Sequence, residues 1–339
     1  MQSIGDPARA GGSASVTPMA VLLGFVGVLA FSFTLPATRV AVEELDPTFV
    51  GIGREALAAV PAALLLVLLR GPRPSRSQFL RLGLVALGVV FGFPLFTALA
   101  LRELTSAHSA VVVGLLPAAT AVAAVVRAGE RPSRRFWLAS MAGLVAVLGF
   151  AASQGAALLS GGDLLILSAV ALGAIGYAEG GALAREIGGW PVICWALVVS
   201  APVSVPVALV AAGGSDLHAS RDAWFGFAYV TAVSALLGFF AWYAGLARGG
   251  VARIGQVQLV QPLLTLAWSA ALLGEHVSAA TLVASLAVVA SVVATQRSAV
   301  SRTLPPVPAP ELRTQPGAPL PASDRADGTR AARPRRSEA

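Results

Sequence analysis

The sequence predicts an all-α integral membrane protein of ten transmembrane helices, arranged as two inverted five-helix repeats. Three observations predict it: a shortage of charge, a regular succession of long apolar runs, and a motif that occurs twice. Of 339 residues, 56% are hydrophobic and 12% charged, against about 25% charged in a soluble domain. Mean hydropathy is +0.77. A water-soluble enzyme lacks its surface on these numbers, and disorder over most of the length is excluded by the hydrophobicity.

Crossing the hydrocarbon core takes about 20 apolar residues in helical form. Ten such runs lie between charge and turn clusters, at 18–37, 50–69, 80–101, 105–126, 136–153, 164–184, 191–212, 223–246, 252–273 and 278–296. They are continuous, whereas barrel strands alternate apolar and polar residues. The connections, such as RGPRPSRSQF (70–79), leave no room for a soluble domain. The first run is too long for a cleavable signal, and only Arg9 precedes it as a basic group. Residues 1–17 form a short cytoplasmic segment. From 297 to 339 the chain turns rich in Pro, Ala and Arg and is expected to be a disordered cytoplasmic tail.

All basic side chains are arginine, since lysine is absent, and the formal charge is +7. The arginines punctuate apolar runs rather than forming a solvated basic face, so nucleic acid is not a partner. With the N-terminus in the cytoplasm, twelve arginines outside the tail fall inside and only Arg39, Arg102 and Arg221 fall outside. Both termini are then cytoplasmic, as an even number of spans requires. The lone Cys194 lies in an apolar run and reads as a small buried hydrophobe.

The second half repeats the first. LLPAATAVAAVVRAGERPS (115–133) aligns without a gap on VQPLLTLAWSAALLGEHVS (260–278), at an offset of 145 residues. Pro117 falls on Pro262, Thr120 on Thr265, Gly129 on Gly274, Glu130 on Glu275 and Ser133 on Ser278. The repeats are therefore 18–153 and 164–296. Five is odd, so the second enters the membrane from the opposite side. Inverted repeats give two nearly equivalent conformations, one open to each side, around a site near the midplane.

At these residues the sequence resembles the drug/metabolite transporter superfamily, EamA type, in its two sets of five spans and in the proline followed twelve residues later by Gly-Glu. The resemblance covers 18–296. It implies a bacterial inner-membrane permease, usually exporting amino acids or related metabolites through a central cavity between the halves.

Ionisable side chains inside spans are expensive and mark functional positions. Glu179, in GYAEGGALAR (176–185), is expected at mid-span, binding a proton, pairing with an ammonium group, or fixing packing beside its glycines. Arg54 and Glu55, near the outer end of the second span, point about 100° apart, so mutual pairing is not expected. Arg54 is read as attracting a substrate carboxylate, pairing with Glu179 or snorkelling, and Glu55 as snorkelling to the interface. Histidine is the side chain whose ordinary chemistry suits proton coupling, and His108 reads as a proton-coupling or interfacial residue. In the ninth span, Gln258 and Gln261 share a face ahead of Pro262, with Gln256 beside them. Pro262 frees the carbonyl of Gln258, making a hydrogen-bonding wall. Tyr177 and Trp268 are candidate stacking surfaces, Trp268 two turns beyond Gln261. Pro117 and Pro262 read as structural or gating positions, and Glu130 and Glu275 as helix caps or gate contacts. Gly88–Gly92 and Gly176–Gly180 suit close helix packing.

The expected function is secondary active transport: export of an amino acid or related compound by alternating access, with proton antiport. With no lysine there is no P-loop, and no cofactor or metal-ligand spacing is present. A sensory or scaffold protein on the carrier fold is the alternative, ahead of a membrane-embedded enzyme, whose converging catalytic groups are missing. The partners expected are a small-molecule substrate, the lipid bilayer and protons. A homodimer is left open.

Overall fold

In the computed structural model, which describes residues 18–128, 131–153, 160–249, 255–298 and 300–301, serine and threonine set where several helices begin. Ser75, Thr105, Ser160, Ser220 and Ser278 each accept a hydrogen bond from a backbone N–H in the first turn that follows. Such N-caps satisfy donors that a helix cannot satisfy itself. Ser75 with Gln78, and Ser160 with Asp163, complete reciprocal capping boxes.

Ten helical segments follow one another among the described residues. They are α1 (Pro18–Glu44), α2 (Phe49–Leu68), α3 (Arg76–Glu103), α4 (Ser106–Arg127), α5 (Arg134–Ser153), α6 (Gly161–Ile187), α7 (Gly189–Gly213), α8 (Arg221–Leu246), α9 (Val257–Leu273) and α10 (Ala279–Arg297). Seven of them, α1–α4 and α6–α8, are long and apolar enough to cross a membrane, while α9 and the core of α10 are shorter apolar helices. By length and composition the structure thus supports seven crossings, against the ten expected. Large apolar side chains such as Val67, Leu138, Leu209 and Val210 point outward and are exposed. Serines and threonines including Ser106, Ser109, Ser200 and Ser204 are buried. That arrangement suits a lipid surround.

Prolines interrupt the helices at defined places. Pro36 has no N–H to offer the carbonyl of Ser32 four residues back, and α1 breaks at Phe33. Thr265 Oγ1 supplies the missing donor from α9, 2.9 Å from Ser32 O. In α4 the chain turns at Gly114–Leu115, and α-helix resumes at Leu116, one residue before Pro117. Leading into α9, a 3₁₀ stretch, Gly255–Val260, gives way to α-helix at Gln261, one residue before Pro262. Both resumed segments are 13 residues long. π-helical turns open α2 (Phe49–Gly53) and interrupt α3 (Ala86–Gly92) and α8 (Val230–Leu237).

The helix pairings are regular. α2 packs on α7, α4 on α9 and α5 on α10, each helix against the one five places on. α1 packs on α8, and α3 on α6. At the last crossing the backbones nearly touch: a Cβ on Gly88 would lie 2.7 Å from the backbone nitrogen of Gly176. The interior divides into two apolar clusters. Leu101, Val111, Ile166 and Phe227 belong to one, Leu82, Leu183, Leu197 and Trp242 to the other, and Tyr177 packs against both. A two-residue antiparallel pairing joins Arg131–Pro132 to Val300–Ser301, so regular structure extends past 297, the expected start of the tail. The expected terminal segments, 1–17 and most of 297–339, otherwise lie outside the described residues.

Candidate functional site

Between the two apolar clusters lies a small central cavity of about 30 Å³, room for a water or two. Its wall draws on α1, α2, α3, α4, α6, α8 and α9. Phe31, Phe93 and Phe239 are among its apolar lining, and Tyr177 stands edge-on to Phe239 with ring centroids 5.9 Å apart. Its polar lining is Arg54, Thr34, Ser234 and Gln261. Thr34 and Ser234, 200 residues apart in sequence, share a hydrogen bond of 2.8 Å. The π-helical turns matter here: those of α3 and α8 carry Val89 and Ser234 to the wall, and that of α2 ends immediately before Arg54. Such turns shift side chains out of α-helical register and recur at functional sites. A second cavity, about 10 Å³, adjoins it where α4 meets α9, lined by Pro117, Pro262, Gln258 and Gln261. Gln261 Oε1 is buried with no partner among the described residues.

Arg54 and Glu55 do pair, contrary to expectation. Arg54 Nε donates to Glu55 Oε1 at 2.9 Å, and the side chains are 5% and 2% exposed. Two neighbours on a helix diverge at Cβ, but the long arginine stem curls across the gap. Glu55 therefore does not snorkel.

Closed contacts flank the cavity at both ends. At the arginine-rich end, Arg81 of α3 and Arg127 of α4 both donate to Glu179 of α6. Arg81 Nη1 also reaches Glu186 Oε1 at 2.6 Å, and Gln78 Nε2 reaches Glu186 Oε2 at 3.1 Å. At the opposite end the carboxylate of Glu275 accepts from the backbone N–H groups of Ser106 (2.9 Å) and Ala107 (2.8 Å), capping α4 from the α9–α10 loop. Gly274 makes this possible by taking the left-handed conformation, φ 64°, that ends α9. Arg39 and Arg102 donate to the carbonyls of Leu101 and Val42, tying α1 to α3. His108 Nε2 lies 2.7 Å from Asp163 Oδ1, joining α4 to α6.

The model of the EamA-like transporter family matches residues 18–152 and again 160–296. The chain belongs to that family. It is 46% identical over 276 residues to the uncharacterized transporter YdeK of Bacillus subtilis (strain 168), covering 81% of this chain and 96% of that relative. A solved crystal structure resembles it at a TM-score of 0.57 with 18% identity, covering 81% of this chain and 95% of its own, a likeness of fold. The protein is thus a multi-pass membrane transporter.

Within this EamA-like transporter the residues singled out from sequence separate into groups. Arg54, Tyr177 and Gln261 line the central cavity, and Gln258 and Gln261 line the adjoining one with Pro117 and Pro262. Trp268 stands aside from both: it donates to Ser32 Oγ at 3.0 Å and stacks on Phe33. Glu179 does not line the central cavity, and its partners are Arg81 and Arg127 rather than Arg54. It lies two residues from Tyr177, about 200° around the helix, and faces Arg81 and Arg127. His108 sits at the opposite end, away from the cavity. Glu275 is a cross-helix cap, while Glu130 and the side chain of Gln256 lie outside the described residues. Thr34 and Ser234 were missed because single hydroxyls are common in membrane helices. From sequence Arg81 and Arg127 read only as topology signals, although Arg81 falls inside the third apolar run, 80–101.

Proposed function

We propose that this transporter exports a small zwitterionic metabolite, an amino acid or related compound, across the bacterial inner membrane by alternating access in exchange for protons. The observation that carries the reading is Arg54, buried and paired with Glu55, at the wall of a cavity built from both matched stretches. A zwitterion brings the same two charges. Its carboxylate replaces Glu55 on Arg54 and its ammonium goes to Glu55, so neither buried charge is left without a partner. Gln261 Oε1 offers a further acceptor, Thr34 and Ser234 offer hydroxyls, and the phenylalanines receive an apolar side chain. Ammonium and proton compete for the same carboxylate, which is the condition for antiport.

On this reading the chain crosses ten times. Residues 18–153 and 164–296 are inverted repeats between a cytoplasmic segment, 1–17, and a cytoplasmic tail, 297–339. Two features support the repeat: each helix-pairing rule maps onto itself when α1–α5 and α6–α10 are exchanged, and the resumed segments of α4 and α9 match in length. The end contacts support the ten crossings, since each set joins residues that an up-and-down chain brings to one side. The Glu179 cluster locks the arginine-rich end and the Glu275 cap the other, and alternating access breaks them in turn. A proton on Glu179 removes the charge that holds Arg81 and Arg127 and so opens the arginine-rich end.

Uptake into inverted membrane vesicles, with and without an imposed pH gradient, tests this. A panel of amino acids, nucleobases and amphipathic amines is offered. Gradient-dependent accumulation of at least one amino acid is expected. Indifference to every amino acid overturns the substrate assignment, and accumulation unaffected by the gradient overturns the antiport.

A further inference from the structure

A groove of about 680 Å³ runs between α4, α5 and α6, separate from the central cavity. Its walls are almost wholly apolar, with Ala119, Val122, Leu144, Leu167 and Ala171 among them, and Arg127 and Glu179 stand at one end. The transport reading gives it no role. We propose that it is a lipid site, holding one acyl chain of an anionic phospholipid whose phosphate rests at the arginine-rich mouth.

The length fits one leaflet. From Leu115 to Arg127 the groove follows α4 for about 18 Å at the helical rise, against roughly 15 Å for half of the hydrocarbon core. The polarity fits as well. Apolar space of this size gains nothing from water, and an empty groove forfeits dispersion contacts along its whole wall. At the mouth Trp137 is 45% exposed, the position of an interfacial aromatic. Arg134 lies one turn before Trp137, on the same helical face, and is exposed. Glu179 does not repel a phosphate, because Arg81 and Arg127 already neutralise it. The arginine-rich mouth disfavours a second copy of this chain as occupant, since a two-fold contact over this face brings the two arginine-rich mouths into one interface.

Trp137 provides the readout. The purified full-length protein is reconstituted with phosphatidylglycerol or phosphatidylcholine carrying brominated acyl chains, and the Trp137→Phe protein supplies the background from the other tryptophans. Quenching of Trp137 is expected at about fivefold lower mole fraction of phosphatidylglycerol, the factor one arginine contributes near an anionic headgroup. Arg134→Gln removes that preference and leaves quenching by both lipids. Ala171→Phe fills the groove and reduces quenching by both, and Ala119→Phe gives the same result should the first variant fold poorly. Equal quenching by the two lipids overturns the proposal, as does quenching that neither filling variant changes. Protection of Trp137 in a chain that crosslinks as a dimer overturns it in favour of a second copy. Displacement of brominated phosphatidylglycerol by a transported solute overturns it in favour of a lateral portal.

Discussion

Arg54 hydrogen-bonds to the carboxylate of its own neighbour, Glu55; both side chains are buried, and Arg54 lines the central cavity. Each ion needs the other. Moving either into a low-dielectric interior alone carries a penalty of several kcal/mol, whereas replacing both with apolar groups is often close to neutral. A pair that can be opened only by another pair of opposite charges is a selective device. On the proposed reading it rejects neutral solutes and singly charged ones, because either leaves a buried charge behind.

Arg54→Met alone should therefore cost about 3–5 kcal/mol of stability, and Arg54→Met with Glu55→Met should recover most of it. Transport should be lost in both. Thermal unfolding of the detergent-solubilised protein measures the first quantity and vesicle flux the second. A double variant that melts normally yet still carries substrate would remove the pair from the binding site.

Glu179→Gln should loosen the arginine-rich end. The amide retains a neutral acceptor for Arg81 and Arg127 but loses the charge assistance, and hydrogen bonds to charged groups contribute about 1.5–3 kcal/mol. Even the lower figure shifts a two-state equilibrium about tenfold. With Ser234→Cys as a reporter in the cavity wall, labelling by a membrane-impermeant maleimide from the arginine-rich side should rise by that factor in the Gln variant. The single native cysteine, Cys194, is buried and provides the background. An unchanged labelling rate would mean that Glu179 does not hold this end closed.

The apolar runs and the motif at Pro117 and Pro262 were legible because each rests on a local cause: helix length against bilayer thickness, and a ring that removes a backbone donor. Partnerships were not. Arg81 and Glu179 are 98 residues apart, and nothing in their spacing distinguishes an arginine that sets topology from one that turns inward. Angular reasoning failed at Arg54 and Glu55 because it fixes where Cβ points and says little about the end of a long side chain. The same reasoning, applied to Tyr177 and Glu179, would have separated them: two residues on a helix face nearly opposite ways.

Glu275→Ala should act at the opposite end. It leaves the N–H groups of Ser106 and Ala107 without the acceptor that caps α4, a loss of about 1–2 kcal/mol by analogy with other N-caps. Because the cap joins α4 to the α9–α10 loop, its removal should open the cavity from that side. Maleimide labelling of Ser234→Cys from the side opposite the arginines should increase, reversing the sidedness seen with Glu179→Gln. Labelling that increases from the arginine-rich side instead would show that the two clusters are not opposed gates.

Thr265→Val tests the proline break in α1. The carbonyl of Ser32 has lost its helical donor to Pro36, and Thr265 Oγ1 replaces it at 2.9 Å across the α1–α9 contact. Valine keeps the shape and removes the donor, leaving a buried acceptor bare at a cost of about 1–3 kcal/mol. In the Pro36→Ala background the N–H of residue 36 is available to Ser32 again, so the same Thr265→Val change should cost markedly less. Melting temperatures of the four proteins close the double-mutant cycle. A coupling indistinguishable from zero would mean that the threonine serves only its own helix, through the 3.0 Å bond to Gln261 O.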